Sequence, residues 1–571
     1  MGYTVLEMFL FITTLACLSP TAAVESIDWT LSEGWDRQPW ETDYKAPNGQ
    51  SLRLKTRVNI PSDYPIEGSQ LRLSGLWWSA SATVNSTAID SVSGGIIPVT
   101  IDIGSHLKHG ENDIELLIQP PSGLSSLLTG GSLSSVNPQS NASLLASPPV
   151  LQLRPKQHIK SSTVSVDQAG IHPWAKLSHA LEGHFVHFEL CTEESCFLDF
   201  GEANVNNGVA TLPSANWDKP NWGFAKPVFY ILKSTLKSPS GTTLHKHQTR
   251  VAPRKLDQIE TGIAINDTPI PLLGARMVYR IGGEDWSMRM KKYTQGGVNS
   301  LELHGEWLKE DWLNRADEIG IPLVVVPRCI GRCNMRKPGT TEGRESIHEA
   351  QDARMVSAFL NHPSRVLYAL EGPVKNIPLW TEVLLDDPLH TPVAGHHFPA
   401  RILRLERGPN GFEPQCQPKD CTGAWLTETT MRLASADVPW QDVANEYEKA
   451  IRLGSVGGIV PTPNTKQVKQ WQSAWKPLSE RLAIPQLSEG PFRAAAQLEV
   501  KGLKPYAALE INRPNRHPIV VTANSEGIAK IKLWAEGQIE LRSDNEVRTL
   551  QVQSAQWKNF EYSGETNRFS W

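Results

Sequence analysis

The apolar residues of this chain change their period twice, and that change constrains the fold more than any other feature. From Ile27 to about Pro120 the chain runs in short alternating stretches such as SLRLKTRVNI, QLRLSGLWW, PVTIDI and DIELLIQP, separated by Gly, Pro, Asn and Ser. A period of two puts every second side chain on one face, so these runs read as strands of a β-sandwich. Residues 120–149 hold Ser, Gly, Leu and Pro without a period and read as a long loop. Alternation returns over 150–256, with HFVHFELC and PVFYILKSTL, a length that suits an immunoglobulin-like sandwich. After Leu256 strands alternate with helical patterns. VNSLEL (Val298 to Leu303) is a strand, Leu308, Trp312, Ala316 and Ile319 recur at helical spacing before Gly320, and PLVVV (Pro322 to Val326) is a buried strand. A helix over Ile347–Leu360 leads into RVLYALE. Trp440, Val443, Ala444, Tyr447 and Ile451 mark another, opened by Asp437 and Pro439, closed by Gly454 and followed by GGIVP. That alternation predicts a parallel sheet, as a barrel or an open sheet. From Gly490 strands such as QIELR and TLQVQ predict a small C-terminal β domain.

A length of 571 residues allows three to five domains. With 56 basic and 60 acidic residues the net charge is -4, which argues against a nucleic-acid partner, and no internal apolar run is long enough for a membrane span. Nineteen Trp exceed 14 Phe and 10 Tyr, and such flat amphipathic rings serve either sugar stacking or sandwich cores. Trp77 and Trp78, and Trp217 and Trp222, are the pairs to which both readings apply, with at least one Trp of each pair expected in a core.

Met8–Leu18 has the length of a signal-peptide apolar region, with Thr21 and Ala23 at a cleavage site, so residues 1–23 are read as an export signal; the lack of Lys or Arg ahead of the run leaves a buried N-terminal strand as the other reading. Cys17 lies within it, and Thr14 stands where a lipobox has Leu. Six further cysteines fall in close pairs, Cys191 with Cys196, Cys329 with Cys333 and Cys416 with Cys421, and neighbour disulfides are the simplest account in an oxidising compartment. None has C-x-x-C spacing, and neither a metal nor a cofactor is expected. His390, His396 and His397 in HTPVAGHHFP hold a substrate or pack a strand. Asn85, Asn141 and Asn266 lie in glycosylation sequons.

In order along the chain, GGIIPVTIDIGSHLKHGENDIELLI (Gly94 to Ile118), the Asn85 turn, Trp217, Pro220, Pro227 and Tyr230, GIAINDTPIPLLGARMVYR (Gly262 to Arg280), GGVNSLELHGEWL, ADEIGIPLVV and NHPSRVLYALEGP resemble the motifs of glycoside hydrolase family 2, which contains β-galactosidases, β-glucuronidases and β-mannosidases. The resemblance spans about residues 28–465. It implies a sugar-binding jelly roll (24–149), an immunoglobulin-like sandwich (150–256), a (β/α)8 barrel (257–487) and, beyond it, the C-terminal β domain (488–571). It also implies a retaining glycosidase, in which one carboxyl is nucleophile and a second is acid then base.

Three positions depart from that pattern. Aligned without a gap, the acid/base motif places Gly372 at the family's Asn and Pro373 at its Glu; Glu371, two residues earlier, is the candidate acid/base. The family's strand-borne Arg becomes Glu302, with His304 near the family's His. The nucleophile belongs on the seventh strand, before the last helix and strand, and GAWLTETT makes Glu428 the candidate. His304 and Trp425 are the candidate substrate contacts. Only 56 residues separate Glu371 from Glu428, so the barrel is expected to be shortened there. Two functions follow: an exported hydrolase of β-linked glycosides, or a carbohydrate-binding or scaffold protein on the same fold. The partner is a carbohydrate or glycoside in both, and the oligomeric state is left open. No Walker loop, dinucleotide fingerprint or G-x-S-x-G elbow appears.

Overall fold

The computed structural model describes residues 51–73, 79–93, 98–119, 149–277, 293–304, 310–326, 359–369 and 467–482 nearly without interruption, and elsewhere the strands and helices named below with isolated positions. The strand Leu52–Ile60 shows why the first part is a sandwich. Leu52, Leu54, Val58 and Ile60 point inward, while Arg53, Lys55 and Arg57 alternate outward and pair with Glu115 and Asp113 of the adjacent Gly110–Gln119. Those surface ion pairs stabilise little, and burial of the apolar face carries the sheet. Ser79–Val84 pairs with the other edge of Gly110–Gln119. A second sheet of Gln70–Leu73, Val99–Asp102 and Val150–Gln152 covers the same core, and Ala23–Val24 adds to its edge.

Seven antiparallel strands follow, Ile159–Val166, Ile171–Leu177, Phe185–Cys191, Cys196–Asn206, Val209–Thr211, Tyr230–Lys237 and Thr243–Val251, wrapped around Phe188, Leu190, Val205 and Leu232. Ile159 N–H donates to His245 Nδ1 at 3.2 Å, joining the first strand to the last. Cys191 and Cys196 form a disulfide across the turn between their strands. The other two cysteine pairs lie outside the described residues.

The period change at Leu256 marks a third layout. After a three-stranded hairpin sheet (Leu256–Ile259, Gly262–Ile265, Thr268–Ile270), eight parallel strands appear in chain order: Leu272–Met277, Ser300–His304, Leu323–Val326, Arg365–Ala369, Val393–Ala394, Ile402–Gly408, Trp425–Thr427 and Gly457–Val460. The first strand pairs with both the second and the eighth, so the sheet continues past the first strand to the last as it does in a barrel. Among the described residues no ladder joins the fifth to the sixth. Seven residues, 395–401, lie between them, fewer than the dozen or so of a crossover helix. The sixth strand turns back as a hairpin with Gly411–Pro414. Helices Glu310–Ile319, Trp440–Arg452 and Val468–Arg481 complete this part; Tyr447 and Trp475 of the last two meet edge to face with centroids 5.1 Å apart, and the Tyr447 hydroxyl donates to the Ile459 carbonyl of the eighth strand. The helix expected over Ile347–Leu360 falls mostly outside the described residues.

Three small sheets end the chain among the described residues: one containing Ala496–Lys501 and Ala529–Leu533, an antiparallel one of Ala508–Arg513, Arg516–Thr522, Gly537–Ser543 and Glu546–Val552, and a hairpin of Gln556–Lys558 and Glu561–Ser563. Thr566–Ser570 pairs with Ala496–Lys501 in parallel.

Candidate active site

Residues level across a parallel ladder share a face, so the lumen can be read rung by rung. Gly274 is level with Ser300 and Ile459. A Cβ there would stand 2.5 Å from Ile459 Cδ1 and 3.0 Å from Ser300 Oγ, which explains the glycine. Ile459 packs with Leu272, Val324, Val326, Val366 and Leu367 in one cluster closed by Ile263, Ile265 and Ile270 of the preceding hairpin sheet. One rung nearer the C-terminal ends of the strands, Arg276, Glu302 and Val324 are level.

On that rung Glu302 is fully buried, and Arg276 Nε donates to its Oε1 at 2.5 Å. The Arg276 side chain keeps 24% of its surface exposed. The reversed charge seen in the sequence is therefore offset by a cation on the neighbouring strand. The detectable signal was a Glu within an apolar strand, which burial permits only with a cation beside it.

The family-like motifs build a different centre. Asp317, near the end of Glu310–Ile319, accepts from His362 Nδ1 at 2.6 Å through Oδ2 and from Ser364 N–H at 3.0 Å through Oδ1; its backbone carbonyl accepts from Trp222 Nε1 at 2.8 Å. All four residues are buried. This cluster sits where a helix ends and the fourth strand begins, the N-terminal face of the barrel, remote from the loops that carry chemistry in such folds. The Asp, His and Ser are no nucleophilic triad, because a triad needs the Ser hydroxyl bonded to the His ring and Ser364 Oγ has no hydrogen-bond partner. ADEIGIPLVV and NHPSRVLYALEGP thus lock the barrel to the preceding sandwich, and Asn361 Nδ2 extends the lock to Ser162 O at 3.0 Å and Thr249 Oγ1 at 3.1 Å. Trp222 is core, as expected of at least one member of its pair. Trp217 packs edge to face on Tyr230.

On the fourth strand itself, Arg365 Nη2 donates to both oxygens of Asp387 at 3.1 Å, and its Nη1 donates to Tyr368 Oη at 2.7 Å. Burial works against the Asp387 charge, but Arg365 and the Thr391 and Leu389 amides outweigh it and hold the carboxyl below its usual range. Arg254 shares this layer; burial and the like charge of Arg365 lower its guanidinium to about 9.

The fourth strand is described to Ala369, two residues before Glu371, and the seventh to Thr427, one residue before Glu428. Glu371 and Glu428 themselves lie outside the described residues, as do Pro373, His390, His396, His397 and the side chains of His304 and Trp425. The backbone places His304 at the C-terminal end of the second strand and Trp425 at the start of the seventh.

The sequons Asn85 and Asn266 have structural roles. Both open two-residue hairpin turns with positive φ, 48° and 69° at Asn85 and Ser86, 52° and 62° at Asn266 and Asp267. Asn85 Nδ2 donates to His106 O and Asn112 Oδ1, and its Oδ1 accepts from Asp113 N–H. Asn266 Nδ2 donates to Trp222 O, and its Oδ1 accepts from Lys255 N–H.

No family model matches this chain, and no curated protein does. Solved structures do. A β-glucuronidase of Bifidobacterium dentium, complexed with coumarin-3-O-glucuronide, is 14% identical with a TM-score of 0.53, over 77% of this chain and 89% of that one. A β-glucuronidase of Ruminococcus gnavus with a C6-substituted uronic isofagomine is 16% identical with a TM-score of 0.52, over 81% and 88%. That of Lactobacillus rhamnosus is 16% identical with a TM-score of 0.50, over 76% and 79%. Over about three quarters of its length, this chain shares the fold of these β-glucuronidases.

Proposed function

We propose that this chain is a glycoside hydrolase acting on β-linked glycosides through a pair of carboxyls on one barrel face. The observation that supports the reading is strand order: of eight parallel strands, the fourth is described to Ala369 and the seventh to Thr427, so along the chain Glu371 and Glu428 follow the C-terminal ends of strands, the side on which barrel enzymes keep their chemistry. Glu428 attacks the anomeric carbon; Glu371 protonates the leaving oxygen and then activates the water that releases the sugar. His304 and Trp425 contact the substrate. Because the compared structures hold a glucuronide and a uronic isofagomine, β-glucuronides head the substrate panel. We further propose that Met8–Leu18 directs export, which N-terminal sequencing of secreted protein tests.

A second reading has its own support. Pro373 occupies the family's acid/base position and the Arg276–Glu302 pair fills a lumen rung, both compatible with a barrel that binds carbohydrate without turning it over. Chromophore release from nitrophenyl β-glucuronide, β-galactoside, β-mannoside and β-glucoside distinguishes the two. Hydrolysis is expected, with Glu371→Gln still releasing a burst of nitrophenol, whose departure needs little protonation, but turning over slowly because the second step has lost its base, and failing to cleave alkyl glycosides. Silence across the panel, together with saturable sugar binding, establishes the second reading instead.

A further inference from the structure

We propose that His158, His245 and His247 form an acid-released seam between the two N-terminal sandwiches. His158 lies in the short connection between them. On its first-sandwich side Gly68 approaches so closely that a Cβ there would stand 2.1 Å from Pro155 O and 3.0 Å from His158 Nδ1, and Gly68 N–H donates to Arg154 O at 2.8 Å. On its second-sandwich side the ring meets His245 edge on at 6.0 Å, and His245 stacks on His247 at 6.2 Å. His158 and His245 are 4% and 6% exposed.

The hydrogen bonds set the tautomers. Pro155 O accepts from His158 Nδ1 at 2.9 Å, so the buried Nε2 of that ring carries a lone pair. His245 Nδ1 accepts from Ile159 N–H, so its proton sits on the buried Nε2. His158 Nε2, His245 Nε2 and His247 Nδ1 have no hydrogen-bond partner. A metal does not fit: a His245 that ligated through Nε2 would turn an N–H toward the Ile159 N–H, and no three metal-binding groups converge among the described residues.

What does fit is a proton switch. Protonating His245 puts a proton on the nitrogen that accepts from Ile159, the contact that joins the first and last strands of the second sandwich. The charges around the trio add to the repulsion: Arg154 in the connection acts on all three rings, Lys160 of Ile159–Val166 acts on His158, and Arg72 of the first sandwich lies beside Arg154. Burial holds His245 down to about 3 and His247 to about 4, and lowers His158 as well. All three are therefore neutral when the seam is closed and take up protons once it opens near pH 6. Opening thus costs least in acid, the penalty to the closed state growing as pH falls from the ordinary value of 6.5 toward 4.

Hydrogen exchange of the intact chain, corrected for the intrinsic pH dependence, tests this. Between pH 5.5 and 4.5 the opening constant of Ile159–Val166 and Thr243–Val251 should rise between about tenfold and a thousandfold, one decade for each histidine that gains a proton. The barrel strand Ser300–His304 should keep its protection. His245→Asn, which retains an acceptor for Ile159 N–H but does not titrate, should lower the rise about tenfold. His247→Asn, at a less buried site, should do the same if the first variant folds poorly. Loss of protection at the same pH in all strands, or an unchanged slope in a folded variant, overturns the proposal.

Discussion

Removing the Asp317 carboxylate by Asp317→Ala takes away two hydrogen bonds from a buried acceptor, those from His362 Nδ1 and Ser364 N–H, and leaves only the backbone bond to Trp222. Bonds to a charged group contribute about 1.5 to 3 kcal/mol each, and a buried polar cluster broken on one side costs about 3 to 5 kcal/mol. We therefore expect a loss of about 4 kcal/mol at the base of the fourth strand. A chain with several cores does not unfold as one unit, so a global midpoint is the wrong readout. Site-resolved hydrogen exchange over Leu323–Val326 and Arg365–Ala369 is the right one, and 4 kcal/mol corresponds to about a thousandfold faster opening there. Asp317→Asn, which keeps an acceptor for Ser364 N–H, should lose about half as much free energy. Acceleration below about tenfold in Asp317→Ala, with the fold intact, would refute the claim that these motifs hold the barrel together.

Asp387→Asn should destabilise the outer layer of the fourth strand by about 3 to 5 kcal/mol, because Arg365 and Arg254 lose their shared countercharge, and exchange at Arg365–Ala369 reports it. The native Asp387 carboxyl is held below 3.8, so its contribution is present above that pH and fades as pH falls through the lower native value; the Asn variant should lack this acid dependence. Glu302→Ala, which leaves Arg276 without its lumen partner, should cost a similar amount, measured by exchange of Leu272–Met277. In a glycosylating host, peptide mapping should find Asn85 and Asn266 bare, since both side-chain amides are already committed within their turns.

The strands were the most legible part of the sequence because their period sits in adjacent residues: LRLKTRVNI needs no distant partner to declare its buried face. Four of the eight parallel strands, those in VNSLEL, PLVVV, RVLYALE and GGIVP, were also legible from adjacent residues, and the four apolar positions of Leu323–Val326 are all buried. What escaped depended on contacts between distant positions. The helix Val468–Arg481 was not foreseen, since Pro477 interrupts a pattern in which Trp471 and Trp475 are wholly buried. Those rings, with Trp222, also show how a high Trp content suggesting sugar stacking can in part be core. Glu302 read as a lost contact because Arg276 reaches it only through parallel register. The sequons illustrate the same limit, for a pattern of three residues does not reveal that Asn85 is bound by residues beyond position 105.

The most direct test of the central claim, a retaining barrel with its nucleophile after the seventh strand, is peptide mass mapping after incubation with 2-deoxy-2-fluoro-β-glycosyl fluorides. The 2-fluoro substituent slows both steps, while the departing fluoride keeps glycosylation the faster of the two, so the covalent intermediate accumulates. The account predicts one glycosyl adduct, on Glu428, lost in Glu428→Gln. An adduct on another carboxylate, or turnover of the nitrophenyl panel by Glu428→Gln at the wild-type rate, would contradict it.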